Sequence, residues 1–400
     1  MAEDSGAKLI LCMLSIAVLP IWIKAFWGYH LFPPRVKTIG IDLGTTHSLV
    51  AFMDPLNFSV RVLKSVPSIV TFLPNGTRVV GNPQLLEEHP RHTIFEAKRF
   101  LGVSYEDYVG DEKLHNYPFE VTGLDSGQGV GFVVPSSSHK NTVYTPLDVG
   151  ESIVTELHRR LVNYLGYKTM TKVVIAAPAE FTLKQKELTT KIFENAGLKV
   201  IGLLDEPTAA AMAYGLHDKT SMNHVIVYDW GGGTLDVALL WVQNGNIQLL
   251  ATDGDRNLGG ADLDSCFLES LAPHYLDTAS GKQKCHHHVL RQKVEIAKEQ
   301  LSSVNVTSIS CGGRSKKISR NDFESGCKNV LERALVPLRK LLKDARLNAS
   351  DVDAVVMVGG STRVPSIRQK ITELFDGIPP LTDIDPDTAV AIGAARASND

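Results

Sequence analysis

The stretch D-W-G-G-G-T-L-D-V-A-L-L, residues 229–240, follows the apolar run H-V-I-V-Y. It predicts a β-strand ending at Asp229, a turn over residues 231–234 and a second strand. Consecutive glycines leave backbone N–H groups free to point into one concavity, which suits an anion. A carboxylate there would repel a bare phosphate, but a divalent cation between them removes the conflict. The stretch therefore predicts a turn that binds magnesium and a polyphosphate.

The same pattern occurs near the start of the chain, in R-V-K-T-I-G-I-D-L-G-T-T-H-S-L-V-A-F at residues 35–52. A strand ends at Asp42, a glycine–threonine turn follows, and a second strand resumes. Two copies of one pattern predict two related halves, whose hairpins close on the same magnesium–polyphosphate. A third glycine turn, A-V-V-M-V-G-G-S-T-R-V-P at 354–365, predicts a strand that runs into a helix.

The sequence between these turns predicts the fold class. V-V-I-A-A-P at 173–178 is typical of a buried strand, and residues 147–165 and 183–196 have helical periodicity. Strands that alternate with helices indicate an α/β chain whose sheets are covered by helices. The sequence has neither G-x-x-x-x-G-K-[ST] nor G-x-G-x-x-G, so it predicts neither a P-loop enzyme nor a dinucleotide-binding fold.

Composition sets broad limits on the protein class. The 400 residues are 44% apolar and 21% charged, enough for two or more globular cores. The net charge of −3 gives no electrostatic reason to expect a nucleic-acid partner.

The amino terminus contains a continuous apolar run at residues 9–23, followed by Lys24 and several aromatic residues. Its length favours a signal peptide over a full membrane span, although the aromatic residues would also suit a retained anchor. A buried helix is a third interpretation, disfavoured because both faces are apolar. If the segment is not cleaved, Lys24, Arg35 and Lys37 favour a cytosolic carboxyl side.

Cysteines and glycosylation sequons leave the compartment open. Cys266, Cys285, Cys311 and Cys327 are even in number, which neither requires nor excludes disulfides. The run C-H-H-H at 285–288 favours a solvated loop over a metal site, because adjacent residues converge poorly on one ion. Glycosylation sequons, compatible with a lumenal protein, begin at Asn57, Asn75, Asn305 and Asn348.

Seven motifs in order resemble the ATPase domain of the heat-shock protein 70 family. They are I-D-L-G-T-T (41–46), A-K-R-F-L-G (97–102), D-E-P-T-A-A-A-M-A-Y-G-L (205–216), D-W-G-G-G-T-L-D-V (229–237), L-G-G-A-D (258–262), V-G-G-S-T-R-V-P (358–365) and D-P-D-T-A-V-A-I-G-A-A (385–395). The resemblance implies an actin-like α/β fold with two RNase-H-like lobes around a nucleotide cleft. It places lobe I at 36–218 and 383–400 and lobe II at 219–382, after a signal segment at 1–35.

The resemblance also implies a role for each matching position. Lys98 would orient the attacking water, Glu206 would lie near that water, and Asp42 and Asp229 would hold Mg²⁺ through water. Pro178 would relay the nucleotide state. Asp229 and Thr234 would also be catalytic. The phosphate-binding positions are Gly44, Thr45, Thr46, His47, Gly231, Gly232, Gly233 and Thr234, and Asp236 completes the second hairpin. The nucleoside positions are Gly259, Gly260, Glu295, Lys298, Ser302, Gly359, Gly360, Ser361, Arg363 and Asp387.

Four positions depart from the family pattern, and each bears on nucleotide affinity. His47 replaces a tyrosine or small residue, and Asp205 replaces an asparagine, which adds negative charge near the metal. Trp230 occupies an aliphatic position, and Glu299 stands where an arginine stacks on adenine. The segments 61–72 and after Ser303 are also shorter than in the family.

These observations predict an ATP-hydrolysing, magnesium-dependent, chaperone-like ATPase of the endoplasmic reticulum lumen, or microsomes. The chain stops after G-A-A-R-A, where family members continue into a peptide-binding domain, so we expect an ATPase core without one. Expected partners are co-chaperones, nucleotide-exchange factors and ubiquitin-like proteins, with a monomeric chain and membrane contact only through the amino terminus. The alternatives are a nucleotide-dependent regulator with little turnover and, more remotely, a sugar or acetate kinase.

Overall fold

The structure, a computed structural model, describes residues 35–115, 117–124, 129–135, 141–167, 172–219, 222–276 and 285–398. The predicted signal segment lies almost entirely outside this range, and its apolar run at 9–23 wholly so. Within the described ranges, no helix combines the length and apolar character needed to cross a membrane.

The described part of the chain contains β-strands throughout its length. They are β1 (Thr38–Leu43), β2 (His47–Met53), β3 (Val60–Val62), β4 (Val66–Pro67), β5 (Ile69–Phe72), β6 (Arg78–Val80), β7 (Thr93–Phe95), β8 (Glu120–Gly123), β9 (Val130–Val134), β10 (Thr142–Tyr144), β11 (Lys172–Ala177), β12 (Lys199–Asp205), β13 (His224–Trp230), β14 (Leu235–Gln243), β15 (Asn246–Asp255), β16 (Val306–Cys311), β17 (Arg314–Ser319) and β18 (Ala354–Val358).

Helices alternate with these strands. The α-helices are α1 (Leu85–Glu88), α2 (Tyr105–Gly110), α3 (Pro146–Leu165), α4 (Leu183–Asn195), α5 (Glu206–Ala213), α6 (Gly260–Tyr275), α7 (His287–Leu301), α8 (Arg320–Gly326), α9 (Lys328–Arg333), α10 (Val336–Ala345), α11 (Pro365–Leu374) and α12 (Ala389–Ala397). Short 3-10 helices span Pro90–His92, Ala97–Phe100, Glu112–His115, Leu216–Asp218, Ala349–Asp351 and Gly360–Arg363.

Two sheets with the same internal arrangement organise the fold. In the first, the order is β12-β11-β1-β2-β3, with β4 also paired to β2. In the second, the order is β15-β14-β13-β18. Each sheet starts from an antiparallel hairpin, β1–β2 or β13–β14, whose first strand also pairs in parallel with a later strand, β11 or β18. The predicted α/β fold and its two related hairpins are confirmed.

The register places the two hairpin acids at equivalent points. Asp42 lies one residue before the end of β1 and aligns with Ala176 of β11. Asp229 lies one residue before the end of β13 and aligns with Val358 of β18. Each predicted strand therefore extends one residue past its acid, and the carboxylates occupy corresponding positions in the two sheets.

The helices predicted by periodicity are present, and their ends have physical causes. Helix α3 begins with a capping box in which Thr145 and Asp148 bond each other's backbone N–H groups, with Pro146 in the first turn. It ends at Gly166, whose φ of 70° is left-handed. The turn after β18 differs from the simple strand-to-helix prediction, because the 3-10 helix Gly360–Arg363 precedes α11.

Separate apolar clusters surround the two sheets. One packs β1 and β11 against α3 and α4, and another packs β13 and β14 against α6, α7 and α10. We refer to these halves as the first and second lobes. A third cluster, rich in alanine, joins α5 and α12 to strands of the second sheet. The exact boundaries at 218/219 and 382/383 stay predictions.

Two disulfides brace the second lobe. Cys266 of α6 is bonded to Cys327, and Cys285, just before α7, is bonded to Cys311 at the end of β16. The number of cysteines alone does not determine which of them are paired. The bonds fix helices α6 and α7 to neighbouring elements of the same lobe.

Candidate active site between the two sheets

The two glycine hairpins face each other across the space between the sheets. A Cβ atom added to Gly232 would lie only 2.8 Å from Thr46 Cγ2, so the turns are in contact distance. The first turn is held by Ser68, whose N–H donates to Thr46 O at 2.8 Å. The second is closed by Gly231 N–H, which donates to Thr234 O at 3.0 Å. The two turns therefore lie close together, and their predicted role as a clamp on a magnesium–polyphosphate stays a prediction.

The amino end of α6 packs directly on the second hairpin. Gly260 N–H donates to Gly231 O at 3.0 Å, and Ala261 N–H donates to Gly232 O at 2.8 Å. A Cβ atom on Gly259 would lie 2.3 Å from Gly233 N, a distance that no side chain can occupy. Glycine at 259 is thus required by the close approach of α6 to the turn.

An acid–lysine cluster lies at the ends of the central strands. Lys98 Nζ donates to Glu206 Oε1 at 2.7 Å, and both side chains are largely buried. Lys98 lies on the 3-10 helix Ala97–Phe100, which follows Glu96 in a left-handed conformation. Glu206 is the first residue of α5, where Pro207 suits the first turn. Asp42 and Asp229 interact electrostatically with this pair.

Burial and neighbouring charges shift the pKa values of the ionisable groups in the cluster. Burial, followed by repulsion from Glu206, raises the pKa of Asp42 to about 7. Burial and the charge of Glu180 raise the pKa of Asp236 to about 7. Burial also raises the pKa of Asp229 well above its ordinary value. Burial lowers the pKa of Lys98, but Glu206 and Asp42 outweigh it, so this pKa lies above the ordinary value.

This charge balance fits a bound cation. In the cluster, the carboxyl groups of Asp42, Glu206, Asp229 and Asp236 lie near the ammonium of Lys98, and burial makes the repulsion among the acids strong. Oxygen donors of this kind are those that Mg²⁺ accepts, and Asp42 and Asp229 would hold it. No three His, Cys, Asp or Glu side chains in the described ranges are grouped to ligate a metal directly. That the two acids hold the ion through water molecules stays a prediction.

A cavity of about 150 Å³ opens beside the cluster. Pro178, Glu206, Asp229 and Asp236 contribute to its wall. Pro178 directly follows β11, so the structure places the predicted relay residue against the acid cluster.

Two of the predicted nucleoside residues lie where α6 meets the second hairpin. Lys298 Nζ donates to Gly260 O at 3.3 Å, and Ser361 Oγ donates to Gly231 O at 2.8 Å. Both side chains therefore contact the α6–hairpin junction. Helix α7 presents its predicted apolar stripe to the core: Leu290, Val294, Ala297 and Leu301 are buried. Glu295 is exposed on α7, and Ser302 caps the helix end.

The third glycine turn is tied to the return of the chain to the first lobe. Arg363 Nη2 donates to Asp387 Oδ2 at 2.9 Å and also pairs with Asp385. Gly359 has a φ of 80°, which favours glycine, and its N–H donates to Pro386 O at 3.0 Å. A Cβ atom on Gly360 would lie 3.1 Å from Asp387 Oδ1. Residues far apart in sequence thus form one side of the cleft.

The positions that depart from the family pattern have identifiable surroundings. Asp205 forms a 2.6 Å ion pair with Lys186, so the negative charge expected near the metal is locally compensated. Trp230 is fully buried in the second lobe, and its indole Nε1 has no hydrogen-bond partner among the described residues. His47 and Glu299 are exposed.

Four side chains near the site are not among the predicted site residues: Arg99, Glu180, Arg256 and Asp264. Arg99 lies over the second hairpin, since a Cβ on Gly233 would lie 1.9 Å from its Nη2. Arg99 Nη1 donates to Arg256 O at 3.1 Å, and Arg256 pairs with Glu180 at 3.0 Å. Asp264 of α6 pairs with Lys298. The sequence offers a sign of the role of Asp264, because a charged residue there interrupts the apolar residues of α6.

Comparison with known proteins gives one consistent result. A family model described as Hsp70 protein matches residues 38–399. The chain is 35% identical to Heat shock 70 kDa protein 13 of Homo sapiens, over 96% of this chain and 92% of that protein. It is 35% identical to the mitochondrial Heat shock 70 kDa protein of Pisum sativum, over 91% of this chain and 55% of that protein. It is 36% identical to Chaperone protein dnaK3 of Synechococcus elongatus, over 90% of this chain and 49% of that protein. The chain thus spans about half the length of the last two relatives.

Proposed function

Since the chain belongs to the Hsp70 family, we propose that it is a magnesium-dependent, chaperone-like ATPase core of the secretory pathway. The observation that carries the proposal is the arrangement of the two opposed hairpins. Between them, Lys98 and Glu206 form a 2.7 Å ion pair beside Asp42 and Asp229. Backbone amides for phosphates, acids for a cation and a buried ammonium are the groups that phosphoryl transfer to water requires.

Each group of this chain has a distinct task in the proposed reaction. The hairpin amides and threonine hydroxyls bind the phosphate oxygens and hold them in line for attack. A Mg²⁺ ion, when bound, neutralises phosphate charge. Glu206 fixes the ammonium of Lys98, and Lys98 positions the attacking water and offsets charge that develops in the transition state. Lys298 and Ser361 lie at the nucleoside end.

Single-turnover hydrolysis tests the ATPase assignment. Purified protein is mixed with substoichiometric radiolabelled ATP, and phosphate release is followed with Mg²⁺ and with EDTA. We expect release with Mg²⁺ and almost none with EDTA. Binding without release under both conditions would contradict the assignment.

A regulator that binds nucleotide with little turnover is the second candidate. Glu299, next to Lys298, is an exposed acid on α7 where the family resemblance implies an arginine stacked on adenine. Loss of that contact would weaken adenine binding without affecting the hairpins. Stoichiometric ATP binding with no hydrolysis would favour this second function.

We propose the lumen of the endoplasmic reticulum as the compartment, and a protein of the microsomal stress-70 type. Three observations support it: the apolar run at 9–23, the exposed asparagines of all four sequons, and two disulfides in the second lobe. Disulfides persist in oxidising compartments and are rare in the cytosol.

Translation with microsomes tests the compartment. We expect glycans on one or more of Asn57, Asn75, Asn305 and Asn348, and protection of the ATPase core from added protease. Digestion of the core in intact microsomes would place it on the cytosolic side and defeat this part of the proposal.

The partners are proposed on the same basis. Co-chaperones, nucleotide-exchange factors and ubiquitin-like proteins are expected to bind the folded ATPase core, with the chain as a monomer. Pull-down with ATP and with ADP would show whether any such partner distinguishes the two states.

A further inference from the structure

A buried carboxylate lies beneath the nucleoside end of the site. Asp264 is on the second turn of α6, and only 8% of its surface is exposed. An acid in this position has lost most of its hydration, so it must be compensated by a nearby positive charge. The neighbouring residues of α6, Leu263 and Phe267, are fully buried and apolar.

Lys298 supplies that charge. Its Nζ lies 2.8 Å from Asp264 Oδ1, and the two side chains are 15% and 11% exposed. The same ammonium donates to Gly260 O at 3.3 Å. The short distance and the burial of both side chains make this a close ion pair that is largely shielded from water.

The pair lies where three elements of the site meet. A Cβ atom on Gly260 would lie 3.4 Å from Lys298 Nζ and 3.0 Å from Ser361 Oγ. Ser361 in turn donates to the carbonyl of Gly231 in the second hairpin. The ammonium is therefore held beside α6, the hairpin and the third glycine turn together. A lysine without a buried partner would extend its flexible side chain into water.

We propose that Asp264 is a positioning residue that holds Lys298 in the cleft for the ribose of the nucleotide. The inference rests on the proposed function, because it concerns the same site. The pair is net neutral, so it does not attract phosphate as a free lysine would. An ammonium fixed by a carboxylate can still donate to a neutral hydroxyl acceptor. Asp264 thereby makes this end of the site selective for a nucleoside over a second anionic group.

The variant Asp264→Asn in the full chain tests the proposal. Affinities for ATP, ADP and inorganic tripolyphosphate are measured with Mg²⁺ by calorimetry. We expect ATP and ADP to bind about tenfold more weakly, the loss of one charge-assisted interaction, and tripolyphosphate to bind as in the wild type. Glu332→Gln is the control, since it removes an exposed ion pair with Lys370 at 2.6 Å in the same lobe.

Equal weakening of all three ligands would overturn the proposal, because it would indicate general distortion of the lobe. Unchanged ADP affinity in Asp264→Asn would also overturn it. Failure of the wild type to bind any nucleotide would instead defeat the proposed function.

A double variant shows whether Asp264 acts through Lys298. If it does, Asp264→Asn combined with Lys298→Met should bind ADP as weakly as Lys298→Met alone, because interacting residues are not additive. Additive losses would contradict the positioning role. Lys298→Met alone leaves Asp264 buried without its partner, so circular dichroism must first show that this reference variant is folded; the double variant contains no unpaired buried charge.

Discussion

Lys98 is the residue on which the proposed chemistry depends most. Lys98→Ala removes the one ammonium of the acid cluster, whereas the hairpin amides that bind phosphate remain. We expect ATP affinity within roughly tenfold of wild type and turnover reduced on the order of 100- to 1000-fold, as for loss of one preorganised donor. Single-turnover hydrolysis and equilibrium binding separate the two effects.

The matched control is Lys186→Ala. Lys186 pairs with Asp205 at 2.6 Å, and Asp205 directly precedes Glu206. This variant removes a neighbouring ion pair outside the cluster and should retain most hydrolysis. A Lys98→Ala protein that turns over at the wild-type rate would refute the role of Lys98 and favour the non-hydrolysing regulator.

Substitution of Asp229 tests whether the site binds Mg²⁺. Asp229→Asn keeps the shape of the side chain but removes the charge that would hold the water shell of Mg²⁺. We expect nucleotide affinity to fall more with Mg²⁺ than without it. Isothermal titration with Mg²⁺ and with EDTA gives the two values, and equal losses would argue against a metal role.

At the scale of residues, the sequence predicts groups that are close together in the chain better than contacts between distant positions. The acid and glycines of each hairpin lie in one short stretch, so local rules predicted them. Lys98 and Glu206 are 108 positions apart, and the family resemblance alone brought them together. Asp264 is visible in the sequence as a charge among apolar residues, but its pairing with Lys298 depends on how helices pack, and the Glu180–Arg256 pair depends on how the lobes pack.

At the scale of elements, the disulfides are the main addition to the predicted structure. Reduction should lower the free energy of unfolding of the second lobe by roughly 2–4 kcal/mol per bond, mainly through the entropy of the unfolded chain. Urea unfolding with and without dithiothreitol measures this effect. Cys285→Ser with Cys311→Ser should reproduce part of it.

The variant with the four disulfide-bonded cysteines replaced by serine provides the control, because its urea midpoint should not respond to reductant. Alkylation and mass measurement must confirm that the wild-type thiols became free. An unchanged midpoint after complete reduction would show that the bonds do not stabilise the lobe.

Helices were more predictable than these covalent links. The stripe of Leu290, Val294, Ala297 and Leu301 follows helical spacing, and all four are buried on α7. Periodicity suffices there because burial of one face is a local property of the sequence. Cysteine pairing is not local, so the count of cysteines left it undecided.

At the scale of the whole molecule, the acid cluster links stability to pH and metal. Asp42 and Asp236 have pKa values of about 7 when folded, against ordinary values of 3.8. Between these values the folded chain binds more protons than the unfolded chain, so the free energy of unfolding falls as pH rises. Without metal, we expect the melting temperature to decrease from about pH 4 to about pH 7.

Magnesium with ADP should make the melting temperature less dependent on pH, because a bound cation stabilises the ionised acids. Thermal unfolding across pH, with Mg²⁺–ADP and with EDTA, provides the measurement. Asp236→Asn should reduce the slope in EDTA. A melting temperature that rises with pH in EDTA would contradict the predicted linkage.

Asp42 and Asp229 occupy corresponding positions in two sheets of the same arrangement, yet a nucleotide has two unlike ends. The surroundings break the symmetry: the first lobe adds Lys98 and Glu206, and the second adds Lys298 and Ser361. Under the proposed function, both hairpins would hold the phosphates, whereas only the first lobe would add the hydrolytic pair and only the second lobe would add the nucleoside contacts. Under that function, we therefore expect ATP to bind in a single orientation and to need both lobes for binding and hydrolysis.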